Sequence, residues 1–300
     1  MKVLITGGSG MVGTKLTNML LAKGHEVAHL SRSSKEQKDV EVYVWDVKAG
    51  TIDANAINDV DAIVHLAGAG VADERWTDER KKVILSSRVE TAKLLIKVLT
   101  ENQHQVKTFL SASGMGYYGD NGEKEMNESD EVGDDFLAEV CKYWEKSTEP
   151  IGEMGIRRAV FRISLVLSRK GGALPKMDIP VKMGLGSYFG NGKQIYSWIH
   201  IEDLCRLFIE ALEEDHFHGI YNAATPHQLS NRAFTKVLAN VMGRPFIPAP
   251  VPSFMLKIAL GEMSETVLGS IALNMTKLKV TGFTFKHPML NDALSNLYDK

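Results

Sequence analysis

The feature that most constrains this chain is its start, MKVLITGGSGMVG. Val3, Leu4 and Ile5 form a short apolar run of the kind that becomes a buried parallel strand. Gly7, Gly10 and Gly13 follow, and MVGTKLTNMLLAKG then reads as a helix, with Leu16, Leu20 and Leu21 on one face and Gly24 as its stop. Strand, glycine turn and helix, in that order, are the context in which a glycine fingerprint means dinucleotide binding. Gly7 permits the tight turn, Gly10 the close approach of backbone to a pyrophosphate, and Gly13 the packing of helix on strand. The helix N-terminus then offers unsatisfied N–H groups and the positive end of its dipole to the phosphates. Thr6, Met11 and Val12 complete the cradle so predicted. The bland alternative is a glycine-rich turn that binds nothing, and the correct flanks on both sides weigh against it.

The next strand, EVAHLSRS over 26–33, ends in Ser31 and Arg32. An acid at this place would bond the ribose 2′-OH of NAD, whereas an arginine accommodates the 2′-phosphate of NADP. The acid is absent and Arg32 is present, with Ser31 and Ser33 adding hydroxyls, so the reading is NADP(H) over NAD(H). A third strand, VEVYVWDV over 40–47, closes on Asp46, which suits either an adenine amino group or a turn. A fourth, DAIVHLAG over 61–68, ends in Leu66, Ala67 and Gly68, small enough at its tip to pass close to a cofactor, and His65 inside it reads as a core histidine.

From Trp76 to about Thr100 the pattern turns helical, with Ile84, Leu85, Val89, Ala92, Leu95, Ile96 and Leu99 in a stripe and Arg88 and Thr91 beside it. VKTFLSAS over 106–113 is a fifth strand and GMGYYGDNGE a glycine-rich loop. Short apolar strands with glycines at their C-terminal ends predict an α/β fold, a doubly wound parallel sheet with its ligand crevice at the carboxyl ends of the strands.

The chain has 300 residues, 44% of them hydrophobic, which suffices for a sizeable core. With a net charge of −2 and no aromatic-interleaved basic run, nothing argues for a nucleic-acid footprint. Cys141 and Cys205 match no metal spacing and suit a reducing compartment. No apolar stretch approaches the ~20 residues of a membrane span, and the start does not read as a signal peptide. A cytoplasmic location follows as an expectation, with no metal, no nucleic acid and no membrane partner.

TGGSGMVG, HLAGAG, SASGMGYYG, WIHIEDL (198–204) and YNAATP (221–226) together resemble the extended short-chain dehydrogenase/reductase superfamily, the nucleotide-sugar epimerases, dehydratases and their relatives. FRISLVLSRKGGALPKM (161–177), GNGKQIYSWIHIEDL (190–204) and the C-terminal GEMSETVLGS and TGFTFKHP are similar to an atypical branch labelled epimerase family protein. The resemblance implies a Tyr that handles the reacting proton and a Lys four residues on that lowers its pKa and holds the nicotinamide ribose, with a Ser or Thr ending the fifth strand. In DDFLAEVCKYWEKSTE (134–149), placing Glu145 on the acid that often follows that Lys puts Leu137 and Cys141 on the pair, and no register supplies it. Ser113, Tyr117 and Tyr118 remain as candidate catalytic groups. Arg162 resembles the family's arginine beside the cofactor, and His200 and Asp203 match a motif read as architecture.

The resulting expectation is an NADP-binding Rossmann domain over 1–165 and 196–225, with a smaller, discontinuous C-terminal lobe over 166–195 and 226–300. RPFIPAPVP (244–252) reads as a proline-rich connector, and Met255, Leu256, Ile258, Ala259, Leu260 and Met263 as core. The function implied is an NADP(H)-binding oxidoreductase or epimerase-like enzyme for a small polar substrate; the alternative is a non-catalytic NADP(H)-binding protein that senses redox state or stabilises a complex. Homo-oligomerisation is left open.

Overall fold

Between Lys2 and Ala223 the apolar runs become strands of one sheet in the computed structural model, which describes residues 1–34 and 38–298. The strands are β1 (Lys2–Thr6), β2 (Glu26–Ser31), β3 (Glu41–Asp46), β4 (Thr51–Ile52), β5 (Ala62–His65), β6 (Thr108–Gly114), β7 (Arg157–Ile163) and β8 (Gly219–Ala223). They lie in the order β8-β7-β6-β5-β1-β2-β3-β4, parallel throughout except for β4 against β3. The order reverses at β1, where Thr6 stands between Leu30 of β2 and His65 of β5. A crevice therefore opens beyond the carboxyl ends of β1 and β5.

The main helices are α1 (Met11–Ala22), α2 (Asp78–Glu101), α3 (Phe136–Ser147), α4 (Leu174–Lys182), α5 (Ile201–Glu213), α6 (Asn231–Val241), α7 (Ser253–Leu260) and α8 (Leu290–Tyr298). Strand alternation sends Val3 and Ile5 to one face, against Leu16 and Leu20 of α1 and Leu204 and Phe208 of α5. Leu4 and Ile63 face the other way, onto Leu94, Leu95 and Leu99 of α2. Side-chain caps fix the helix starts: Thr77 accepts from Arg80 N–H, Asp135 from Ala138 N–H and Ser230 from Ala233 N–H, each contributing about 1 kcal/mol.

Beyond β7 the chain changes partners. The apolar stretch 156–168 breaks at Ser164, whose N–H and hydroxyl both donate to Ala223 O of β8. Leu165–Leu167 then pairs in parallel with Trp198–His200, outside the main sheet. Leu167, Leu174, Val181, Trp198, Phe234, Leu238 and Leu294 form a separate core cluster there.

Two expectations fail in this region. Residues 244–252 are no mere connector, because Phe246–Val251 is a strand pairing in parallel with Gly186–Phe189. A two-stranded sheet is all edge, so the missing N–H groups of Pro248 and Pro250 are tolerated, and a register shift between Ser187 and Tyr188 absorbs the misfit. The apolar run of α7 is not core either: Met255 is 52% and Ile258 73% exposed, and no residue of the helix is buried. The helix stands on a rim, held through polar contacts at its C-terminal end, Arg75 Nη2 to Ile258 O at 2.9 Å and the Lys81–Glu262 ion pair just beyond. Apolar content leads to burial only where a neighbour covers it.

His65 is fully buried in β5, with Nδ1 2.8 Å from Thr6 Oγ1, and burial pushes its pKa down to about 4. A histidine depressed in the fold binds its proton more readily when unfolded, so its stabilising contribution is complete above about pH 6.5 and falls away toward pH 4, by about 3 kcal/mol. The acid limb of Tm against pH, measured between pH 7 and 4.5, is expected to be shallower in His65→Asn than in the wild type, whatever the substitution does to Tm at pH 7.

Candidate functional site

At the switch point the glycines are held by contacts as well as by turn geometry. Gly7 has φ +71°, and a Cβ there would lie 3.0 Å from the Leu66 carbonyl; a Cβ on Gly13 would lie 2.3 Å from Gly7 O, inside the turn it packs on. Gly10 is the N-cap of α1 and supplies no side-chain cap, so the first N–H groups of the helix, at Met11, Val12 and Gly13, are left for a ligand. Thr6 Oγ1 accepts from the N–H groups of Leu66 and Ala67, both at 3.1 Å, and so ties the loop after β5 to the end of β1. Gly8, outside the three-residue spacing, meets the His29 ring, whose Nε2 lies 2.8 Å from Thr17 Oγ1. That requirement is set by a strand partner, and no spacing rule announces it.

Around this turn, Ser31 ends β2 with its Oγ accepting from Ser33 N–H at 3.3 Å, and Arg32 beside it is exposed. Asp46 Oδ1 accepts from the N–H groups of Lys48 and Ala49 at 2.9 and 3.0 Å, which is the turn reading of that residue. Gly68 lies against the Arg88 guanidinium, 3.0 Å from a Cβ placed there to Cζ.

A second cluster is built at the carboxyl ends of β6, β7 and β8. Arg162 of β7 is 1% exposed and grips Glu145 of α3 with two bonds, Nε to Oε1 at 2.8 Å and Nη2 to Oε2 at 2.9 Å. Ser113, at the end of β6, donates to Glu145 Oε1 at 2.7 Å. Arg162 Nη1 donates to Tyr118 Oη at 2.9 Å and to Glu128 O at 3.1 Å, and Tyr118 donates onward to Asn222 Oδ1 at 2.7 Å. Asn222 also donates its backbone N–H to Glu128 Oε1 and its side-chain amide to Met126 O and Asn274 O. Tyr117 is half-buried and lays its ring 3.4 Å from Arg162 Cζ.

Burial opposes the Arg162 charge, yet the bonds and attraction of Glu145 and Tyr118 hold its pKa above the ordinary value. Burial pushes the Tyr118 phenol up to about 12 despite the guanidinium beside it. The structure thus joins Ser113, Tyr118 and Arg162 in one network whose hydrogen-bonding capacity is spent internally. Tyr117 stands over it, its hydroxyl unbonded among the described residues. Glu128 and Asn222 are members that sequence reasoning missed; each lies far along the chain from Arg162, and no local pattern marks them.

On α3, Leu137 packs against Gly116, and Cys141 lies under Gly114 with its thiol pushed up to about 11 by burial. Neither supplies the phenol or the ammonium that the motif would have carried.

One donor cluster has metal-like composition: ligand atoms of His200, Glu202 and His287 lie within 4.8 Å of one another. His200 Nδ1 accepts from Glu202 N–H at 3.2 Å as the cap of α5, so its proton sits on Nε2 and no lone pair is offered there. Burial, with help from His287, pushes the His200 pKa down to about 4. Burial raises and Lys286 and His287 lower the Glu202 pKa, to a net of about 2. Asp203 accepts from the backbone N–H groups of Lys286 and His287 at 2.7 and 2.8 Å. The cluster fastens the C-terminal segment to α5.

A doubly wound sheet reversing at β1, with a glycine turn and an uncapped helix end at the reversal, places the chain in the Rossmann class of α/β proteins. Comparison narrows the class. A model of the NAD dependent epimerase/dehydratase family matches residues 3–224, and the domain of unknown function DUF1731 matches 251–297. The chain belongs to the NAD dependent epimerase/dehydratase family. It is 37% identical over 298 residues to the epimerase family protein SH2119 of Staphylococcus haemolyticus, covering 99% of this chain and 98% of that one. It is 34% identical over 303 residues to the epimerase family protein SDR39U1 of Homo sapiens, covering 99% of each. A crystal structure of human SDR39U1 (isoform 2) with NADPH matches with a TM-score of 0.90 at 32% identity, over 100% of both chains.

Breaking one side of a buried ion pair strands the other charge, at a cost of about 3–5 kcal/mol. Glu145→Gln is therefore expected to lower the unfolding free energy in urea by that amount, and Ser113→Ala by about 1 kcal/mol. The double variant Glu145→Gln with Arg162→Met, which no longer buries an unpaired guanidinium, is expected to recover part of the loss.

Proposed function

We propose that this chain is an NADP(H)-dependent oxidoreductase or epimerase-like enzyme acting on a small polar substrate. The observation that carries the cofactor reading is the end of β2, where an exposed Arg32 beside Ser31 stands in place of an acid, one strand away from the uncapped N-terminus of α1. The NADPH in the human SDR39U1 structure supports the same choice. Met11, Val12 and Gly13 N–H groups would take the diphosphate, Arg32 and Ser31 the 2′-phosphate, and Leu66–Gly68 would run beneath the nicotinamide half.

Bound NADPH supplies a hydride from the nicotinamide ring. The chain's own share is to hold the dinucleotide at the turn, to exclude water from the crevice, and to deliver a proton to the substrate oxygen. Tyr117 is the phenol free to do so, because the hydroxyls of Ser113 and Tyr118 are committed to Glu145 and Asn222. That same commitment, with Leu137 and Cys141 where the Tyr/Lys pair would stand, favours a second reading: an NADP(H)-binding protein without turnover.

Thermal unfolding with NADPH, NADP, NADH and NAD at equal concentration tests the cofactor. A hundredfold excess over Kd raises apparent stability by about 2.7 kcal/mol, and the shift is expected with NADPH and NADP alone. Arg32→Ala is expected to weaken NADPH about 10–100-fold and leave NADH unchanged. Shifts of equal size with NADH would overturn the 2′-phosphate assignment. Where a substrate screen finds turnover, Tyr117→Phe is expected to lower kcat at least tenfold with NADPH affinity intact; full activity in Tyr117→Phe would remove Tyr117 from the chemistry.

A further inference from the structure

Arg88 is a buried cation without an anion. It lies on the inward side of α2, 8% exposed, and among the described residues it forms no ion pair with any carboxylate. Nη1 donates to Ala69 O at 3.0 Å and to Ile84 O at 2.8 Å, and the guanidinium lies 4.9 Å from the Trp144 ring. Nε and Nη2 have no hydrogen-bond partner among the described residues, yet they are not among the sealed, unpartnered polar atoms, so they border open space. A desolvated charge left half-satisfied costs free energy unless something completes its bonding.

The location says what that something is. Arg88 Cζ and Nε lie 3.0 and 3.2 Å from where a Cβ on Gly68 would be, just past the end of β5. On the β6 side, the Cys141 sulfur lies 3.4 Å from where a Cβ on Gly114, the last residue of that strand, would be. The open donors therefore face the carboxyl edge of the sheet between β5 and β6, on the side of the switch point away from Arg32. A dinucleotide with its 2′-phosphate at β2 and its diphosphate on α1 brings its second half across to this side. The oxygen-rich part of that half is the nicotinamide ribose, whose vicinal hydroxyls offer two acceptors to a planar fork of N–H donors.

We propose that Arg88 holds the nicotinamide ribose, supplying from α2 a cation at the place that Cys141 leaves without one on α3. The assignment rests on the NADP(H) reading above. It makes Arg88 a binding and positioning residue for the cofactor's second half and leaves the 2′-phosphate end to Arg32.

The test uses the full chain and two probes, NADPH and 2′,5′-ADP, which keeps the 2′-phosphate but lacks the nicotinamide ribose. Dissociation constants are measured calorimetrically for the wild type, Arg88→Met and Arg88→Lys, with circular dichroism to verify folding. Arg88→Met is expected to weaken NADPH by about 10–100-fold and to leave 2′,5′-ADP within about twofold, with Arg88→Lys between. Equal weakening of both probes would make Arg88 only a pin for the 68–70 loop, and unchanged NADPH affinity in Arg88→Met would overturn the assignment outright. Should Arg88→Met fail to fold, Arg88→Gln, which keeps a donor for Ala69 O, carries the same comparison. A wild-type chain that binds 2′,5′-ADP but gains nothing from the nicotinamide half would overturn the Arg88 assignment alone. One that binds neither probe would overturn the NADP(H) reading and this assignment with it.

Discussion

The two-bond grip of Arg162 on Glu145 is the interaction on which the crevice depends. It spans from β7 to α3, takes in β6 through Ser113, and reaches β8 through Tyr118 and Asn222. A charge pair this deeply buried gains little net stability over a well-packed apolar substitute, because desolvation offsets most of the attraction. Its contribution is to geometry: the planar guanidinium fixes the helix, the strand ends and the Tyr117–Tyr118 turn to one another. Hydroxyls that would otherwise be free for chemistry at Ser113 and Tyr118 become part of the framework.

Much of the frame is legible in the sequence because its signals are local. The β1 run, the glycine turn and the helix stripe lie within a few residues of one another, and the strand tips are punctuated by glycine, so the doubly wound sheet follows from period and punctuation, while its strand order is set by pairings between distant segments. The absence of a Tyr/Lys pair on α3 is equally local. What escapes is whatever depends on the partner of a side chain. Glu145 is visible as an acid, but its choice of Arg162 is made across the sheet. Gly8 is constrained by His29 rather than by the turn, and the isolation of Arg88 is defined by what fails to approach it. The rim position of α7 belongs to the same class, since an apolar helix carries no mark of whether a neighbour exists to cover it.

Asp203 bears on how the chain assembles. Its two oxygens wait for the backbone N–H groups of Lys286 and His287, while the Asn222 amide at the end of β8 is satisfied by Met126 and Asn274 carbonyls. Buried polar groups on α5 and β8 thus receive part of their bonding from residues 274–287. Contacts of such long sequence separation form late, after the entropy of closing the intervening chain has been lost. Before that segment docks, Asp203 has the Arg206 guanidinium at 3.0 Å but lacks both backbone donors, and the Asn222 amide has the Met126 carbonyl but lacks that of Asn274. The C-terminal segment is therefore tied into α5 rather than laid upon it, and a chain cut before Lys286 would leave the buried Asp203 with Arg206 alone.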